Sequence, residues 1–98
     1  MVTPTDLIAL PDAVEIVWPD GRTDRIPAQL LRRAARDATS LRERYDTGKI
    51  RVAKGIEVVG CDPVGAYGVN IKFSDGHERA IYPFTYLREI ADAALATN

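Results

Sequence analysis

The stretch that decides the fold is Val14-Glu15-Ile16-Val17-Trp18-Pro19-Asp20-Gly21, which recurs 55 residues later as Val69-Asn70-Ile71-Lys72-Phe73-Ser74-Asp75-Gly76. In both copies apolar side chains alternate, an aromatic residue ends the run, and an Asp-Gly pair follows. Alternation of this kind is typical of a half-buried strand, and Asp-Gly supplies the positive backbone angles of a tight hairpin turn. Each copy therefore predicts a β-hairpin, with return strands at Arg22–Ile26 and Glu78–Tyr82.

A helix is predicted after each hairpin. Pro27 and Pro83 suit the first helical position, where a missing N–H costs little. Apolar residues then follow at three- and four-residue spacings, which indicates one buried helical face. In the second helix these residues are Phe84, Leu87, Ile90, Ala91, Ala94 and Leu95, and in the shorter first helix they are Leu30, Leu31, Ala34 and Ala35. The pairs Leu31-Arg32 and Leu87-Arg88 correspond if Tyr82 is counted as an insertion.

The predicted fold class is α+β: a small, mostly antiparallel sheet with two helices packed on one side, built from two related strand–turn–strand–helix units. A chain of 98 residues is expected to form a single domain. Its predicted parts are an N-terminal arm at 1–12, a first unit at 13–36, a loop-rich middle at 37–65 and a second unit at 66–96.

The middle segment has the weakest pattern. Residues 37–48 are polar and irregular, which favours a loop, with a short helical turn as an alternative. Residues 49–52 and 56–59 are interpreted as short strands. Residues 60–65 are dense in turn formers and are interpreted as a loop.

The charge of the chain is unevenly distributed. Thirteen basic and fourteen acidic side chains give a formal charge of −1, which argues against a strongly basic nucleic-acid binder. Residues 22–54, however, hold ten basic and four acidic side chains, a net +6, and the remainder holds three and ten, a net −7. Such a dipolar molecule favours contact with an unidentified partner protein, or self-association into a homo-oligomer, over nucleic-acid binding.

Sequence features also bear on location. No apolar run approaches the 18 or so residues that a membrane span requires, so no membrane partner is expected. Residues 1–10 lack the basic start and the apolar stretch of a signal peptide. Cys61 is the only cysteine and cannot form an intramolecular disulfide. We therefore expect a reducing, cytoplasmic location.

The second unit resembles a known family. Val64-Gly65-Ala66-Tyr67, Asp75-Gly76-His77 and Ala80-Ile81-Tyr82-Pro83-Phe84 are similar to the hallmark stretches of the gamma-butyrobetaine-hydroxylase-like N-terminal domain, also called domain of unknown function 971. The resemblance extends over about residues 4–95. Ala80 stands where the family prefers glycine, and Phe84 where it prefers tryptophan.

The resemblance implies several contexts for such a domain. In carnitine-synthesis dioxygenases it precedes the catalytic barrel, and in other proteins it is fused to a nucleotide-binding iron–sulfur cluster carrier. In bacteria it also stands alone, and the present chain resembles that type. In the dioxygenases it holds zinc through three cysteines and the histidine of the Asp-Gly-His turn.

The zinc ligands that the resemblance implies are largely missing here. Only His77 matches, because the three cysteine positions fall on Ala35, Asp37 and Ser40. Structural zinc sites use four ligands, mostly Cys or His. We therefore expect no zinc and no other cofactor.

The leading functional hypothesis is a small non-catalytic binding or scaffolding module. One histidine cannot supply the two-histidine, one-carboxylate triad of a non-haem iron oxygenase, so hydroxylase chemistry is excluded. We expect that the chain is not an enzyme. By resemblance alone, the context is iron–sulfur cluster assembly or an oxygenase-linked pathway. A small ligand-binding protein or enzyme using His77 with Tyr82 or Cys61 is an alternative. Weak nucleic-acid binding through the arginine-rich segment is a second alternative.

Six residues are candidate contacts for a partner or ligand. A histidine at the exit of a turn can meet a ligand, and two tyrosines coincide with hallmark positions of the family. Arginines on the first helix can bind acidic groups. The candidates are His77, Tyr67, Tyr82, Arg32, Arg33 and Arg36.

Overall fold

The computed structural model describes residues 3–36, 41, 42, 45, 52 and 54–96. Their elements, in chain order, are β1 (Asp6–Leu10), β2 (Ala13–Val17), β3 (Thr23–Pro27), α1 (Ala28–Arg33), β4 (Val58–Val64), β5 (Gly68–Phe73), β6 (Ala80–Pro83) and α2 (Phe84–Ala96). The α+β class predicted from the sequence is confirmed. No helix in this described part of the chain is long and apolar enough to cross a membrane.

The described strands form two antiparallel sheets, ordered β1-β2-β3 and β4-β5-β6, where the sequence predicted one. Strands β1 and β4 lie side by side, and hydrogen bonds near their two ends connect them. The N–H of Val58 donates to the carbonyl of Pro11 at 2.9 Å, and the hydroxyl of Thr3 donates to the carbonyl of Ala66 at 3.3 Å. A bulge in β4 and the missing N–H of Pro63 explain why no continuous ladder joins the sheets.

Strand β1 was not predicted, and β4 was predicted only at its first two residues, within the strand interpreted at 56–59. The segment interpreted as an N-terminal arm contains β1, and the segment interpreted as a loop at 60–65 lies almost wholly within β4. Turn-forming residues were misleading because glycine and proline are tolerated in a strand at the edge of a sheet. Each unit therefore has three strands and a helix. The strand predicted at 49–52 lies outside the described residues except for Val52.

The two hairpin turns match bond for bond. Trp18 N–H donates to the carbonyl of Arg22 at 2.8 Å, and Phe73 N–H donates to the carbonyl of His77 at 2.9 Å. Both turns contain a glycine with positive φ, 89° at Gly21 and 86° at Gly76. A side chain would strain that conformation, so the repeated Asp-Gly pair is explained by turn geometry.

The helices begin one residue later than predicted. Pro27 and Pro83 end β3 and β6, and Pro27 has the extended angles φ −61° and ψ 145°. The first helical residue in each unit instead donates its N–H to a carbonyl in the turn between the first two strands of that unit. Ala28 donates to Asp12 and Phe84 to Tyr67, both at 2.8 Å.

Both units contribute to one core. The side chains that alternate inward on the strands meet the apolar faces of both helices, as the pattern predicts. The largest fully buried residues are Val14, Ile16, Trp18, Ile26 and Leu31 from the first unit and Val69, Ile71, Phe73, Tyr82 and Leu87 from the second. The pairing of one unit with the other therefore builds the core, since neither unit covers its own apolar face.

Candidate functional site

The turn aspartate of each unit is held by the helix of the other unit. The guanidinium Nε of Arg32 donates to Asp75 Oδ2 at 2.9 Å, and Nη2 of Arg88 donates to Asp20 Oδ2 at 2.8 Å. Both arginines are the fifth residue of their helices, α1 and α2. The repeat therefore produces two reciprocal ion pairs that join the units.

These two pairs differ in burial. The side chain of Arg32 is 8% exposed and that of Asp75 is 24% exposed, against 26% for Arg88 and 57% for Asp20. Partial burial acts to raise the pKa of Asp75, but hydrogen bonds from Arg32 and from the His77 N–H outweigh it and lower the pKa. The hydrogen bond from Arg88 lowers the pKa of Asp20. Both carboxylates are thus ionised structural groups, and neither is tuned as a general acid or base.

A second polar network lies beneath the first turn. Asp24 is buried, and its carboxylate accepts the indole N–H of Trp18 at 2.7 Å and Nε of Arg22 at 2.9 Å. Arg22 also contacts Asp92 of α2 at 2.7 Å. Sequence reasoning missed Asp24, although a polar residue at an inward position of β3, two before buried Ile26, was the available signal.

His77 and Tyr82 do not lie together in one site. Tyr82 is 1% exposed, and its hydroxyl donates to the carbonyl of Leu31. Tyr82 lies opposite Val69 on β5. His77 lies at the other end of β5, where its carbonyl accepts the N–H of Phe73, four residues from Val69. At about 3.3 Å per residue, that separation is roughly 13 Å along the sheet.

Cys61 is placed in β4, opposite Ile71, and it lines a small groove between β1 and β4 of about 320 Å³. His77 and Tyr82 do not line this groove. Burial, with a contribution from the carboxylate of Asp62, raises the pKa of the Cys61 thiol to about 11. At neutral pH the sulfur is protonated and a poor nucleophile. The geometry gives no support to catalysis by Cys61.

The residues that the structure describes do not fit a zinc ion. Ala35 is fully buried in the core, where its methyl group has no atom to offer a metal. Asp37 and Ser40 lie outside the described residues. Within the described part, no three His, Cys, Asp or Glu side chains cluster closely enough to hold a metal. The ion pair of Arg32 with Asp75 instead links the end of α1 to the second hairpin turn.

The remaining candidate residues are separated. The Arg36 guanidinium lies 3.6 Å from the centre of the Tyr86 ring, and the Tyr86 hydroxyl donates to the carbonyl of Ala34 at 2.7 Å. Tyr67 is half exposed beyond the end of β4. Arg33 is exposed at the end of α1 and lines a larger groove. Of the six candidates, only Arg33 lines this larger groove.

We call this larger feature the β3 groove. It has a volume of about 760 Å³ and lies between β3, α1 and α2. Its lining residues are Thr23, Asp24, Arg25, Pro27, Gln29, Leu30, Arg33, Ala34, Ile90, Ala91, Ala93, Ala94 and Leu95. Leu95 is 59% exposed beside apolar neighbours. Sequence reasoning missed the groove, although α2, with 13 residues, carries its apolar face well past the length of the six-residue α1.

The repeat, the Asp-Gly-His turn and the paired sheets can now be compared with known proteins. The profile of the family described as "Gamma-butyrobetaine hydroxylase-like, N-terminal" matches residues 9–88, which is most of the chain. The chain belongs to this family. None of the curated proteins matches the sequence.

The structures of one member of this family and of other similar chains have been solved. A crystal structure of a protein of unknown function from Acidithiobacillus ferrooxidans ATCC 23270, which belongs to the DUF971 family, is 29% identical with a TM-score of 0.69 and covers 91% of this chain and 92% of its own. A solution NMR structure with 25% identity has a TM-score of 0.74, and the match covers 94% of this chain and 70% of the other. Another, at 22% identity and TM-score 0.68, covers 99% and 81% and shows the fold alone.

Proposed function

We propose that this gamma-butyrobetaine-hydroxylase-like domain is a non-catalytic binding and scaffolding module, and that it binds a partner protein through the β3 groove. The observation that carries the proposal is the groove itself. It combines exposed apolar atoms of α2 with the edge of β3 and with arginines from the basic part of the chain. Contiguous exposed apolar surface bordered by polar residues is typical of protein contact sites.

The state of the reactive groups supports binding over catalysis. Asp75 is ion-paired, the hydroxyl of Tyr82 is bonded to a buried carbonyl, and the pKa of Cys61 is raised. Catalysis needs a nucleophile or base that converges with its partners on one reacting atom. These groups face different parts of the fold.

The contacts of the arginines also favour a protein over nucleic acid. Arg32 bonds Asp75, Arg36 stacks on Tyr86, and Arg25 contacts both Asp12 and Glu15. A nucleic-acid interface instead presents its cations together toward phosphates. For the biological context we propose, by resemblance alone, iron–sulfur cluster assembly or an oxygenase-linked pathway, in which the module would hold a partner in place.

A pair of matched variants tests the proposal. Leu95→Glu places a charge in the β3 groove, and Val59→Glu places one on β4, where the native side chain is 62% exposed against 59% for Leu95. Both sites are exposed, so both variants should fold. After cross-linking in a native lysate and affinity capture, the partner should be retained by the wild type and by Val59→Glu. Leu95→Glu should reduce its recovery by about tenfold, because a buried unpaired carboxylate is costly.

Two outcomes would contradict the proposal. Recovery of the same partner with Leu95→Glu would remove the β3 groove from the interface. Recovery of no cross-linked partner by the wild type under several growth conditions would leave the module without a binding function.

A further inference from the structure

The outer edge of β3 has main-chain groups that point away from its sheet. Strand β3 pairs with β2 alone, so it forms one edge of the first sheet. Hydrogen bonds close both ends of this pairing, from Trp18 to Arg22 and from Ala28 to Asp12. Opposed residues in an antiparallel pair alternate between bonded and non-bonded positions. With bonded pairs at those two ends, the register places Thr23, Arg25 and Pro27 at non-bonded positions.

Those positions decide what the edge offers. At a non-bonded position the N–H and C=O point away from the neighbouring strand. Thr23 and Arg25 therefore present two N–H donors outward, and with Pro27 they present three carbonyl acceptors. Proline has no N–H, which is compatible with this outward position. All three residues line the β3 groove.

The other residues that line the β3 groove indicate which side chains a strand bound there would carry. Leu30, Ile90 and Leu95 supply apolar contact area. Arg33 on the α1 side and Arg25 on β3 supply two cations to the lining, against one carboxylate. The one carboxylate in the lining, that of Asp24, is buried and bonded to Trp18 and Arg22. The groove is thus complementary to a strand that carries apolar and acidic side chains.

We propose that the β3 groove binds an extended segment of a partner protein, with alternating apolar residues and at least one carboxylate, which adds to β3 as a fourth strand. This inference rests on the proposed function and specifies its binding mode. In strand addition the main chain supplies affinity and the alternate side chains supply specificity. The apolar side chains of the segment contact α2, and its carboxylate meets Arg33.

The test begins with a defined probe. A phage-displayed library of random linear peptides is selected on the immobilised full-length chain, and the best binders are synthesised. We expect binders with alternating apolar residues and an acidic residue, and we expect Leu95→Glu to abolish their binding. Single N-methylation of each peptide amide should then weaken binding about tenfold or more at every second position, because those amides face β3.

Matched prolines test the same bonds on the protein side. Arg25→Pro removes an outward N–H from β3 and should weaken peptide binding about tenfold. Ile81→Pro changes the corresponding outward position of β6, outside the groove, and should leave binding unchanged. Thermal unfolding shows whether each variant folds. If Arg25→Pro does not fold, the N-methylation series decides the question without any change to the protein.

The outcomes separate the binding mode from the function. An N-methylation series without alternation, for peptides that still require the β3 groove, would overturn strand addition and leave the proposed function standing. A library that yields no groove-dependent peptide would overturn the inference as well, even where cross-linking identifies a groove-dependent partner. Alternating losses together with a weakened Arg25→Pro would support it.

Discussion

The first and second units each consist of three strands and a helix, but their solvent-exposed surfaces differ. The first unit has a six-residue helix and an open groove beside its edge strand β3, and the second has a 13-residue helix that forms one wall of that groove. The internal repeat therefore accounts for the shared core. The difference between the units accounts for the proposed binding surface.

The largest expected difference concerns the reciprocal ion pairs. Arg32→Ala leaves Asp75 partly buried without its partner and should cost about 2–4 kcal/mol of unfolding free energy. Arg88→Ala removes the more exposed pair with Asp20, which solvent screens, and should cost clearly less. Urea denaturation of both variants measures the difference. Equal costs would show that burial does not distinguish the two pairs.

The aromatic residue at the end of the first strand of each hairpin gives a second test. Trp18 donates to buried Asp24, whereas its counterpart Phe73 has no polar atom to donate. Trp18→Phe makes the two units alike and should cost about 1–3 kcal/mol, because a buried carboxylate loses one of its donors. Denaturant unfolding measures the loss. A cost below about 0.5 kcal/mol would contradict the importance of the bond to Asp24.

Acid should destabilise the protein partly through Asp75. The lowered pKa means that the folded state holds this proton less tightly than the unfolded chain does. The resulting stabilisation is full above the unfolded pKa of about 3.9 and is lost as the pH falls through the lower folded value. Thermal unfolding between neutral pH and pH 3 should show a shallower decline for Asp75→Asn than for wild type. Parallel curves would contradict a role for this carboxylate in acid sensitivity.

The last comparison between the units concerns the strands at the junction of the two sheets, where the expected effect is on reactivity and not on stability. Cys61 of β4 lies opposite Ile71, as Leu7 of β1 lies opposite Ile16, so the thiol occupies the position of an aliphatic side chain. With a pKa of about 11, alkylation by iodoacetamide at pH 8 should be about a hundredfold slower than in the unfolded chain. Mass spectrometry of the modified protein follows this rate. Equally fast modification in both states would rule out the raised pKa.

The sequence predicted those parts of the fold that depend on local pattern. Both hairpins and both helices followed from alternation, from Asp-Gly and from apolar spacing. Strand β1 and most of β4 were missed because their register depends on partners in other segments, and Gly60 and Pro63 are typical of a loop. The division into two sheets was missed for the same reason.

The candidate site was harder to predict than the fold. Arg33 was a candidate contact because of the basic charge of its segment, and it lines the proposed β3 groove. Tyr82 was also a candidate, but its hydroxyl bonds a buried carbonyl. The β3 groove depends on how far α2 extends past α1 and on which main-chain groups face outward. Both are properties of tertiary packing, which the spacing of residues in one chain segment does not specify.

Amide hydrogen exchange at the two free sheet edges tests the central claim most directly. The amides of Thr23 and Arg25 on β3 are measured against that of Ile81 on β6, with and without a saturating groove-binding peptide. We predict that the peptide slows exchange at Thr23 and Arg25 about tenfold or more and leaves Ile81 unchanged. Unchanged exchange at Thr23 and Arg25 would contradict binding at the β3 edge.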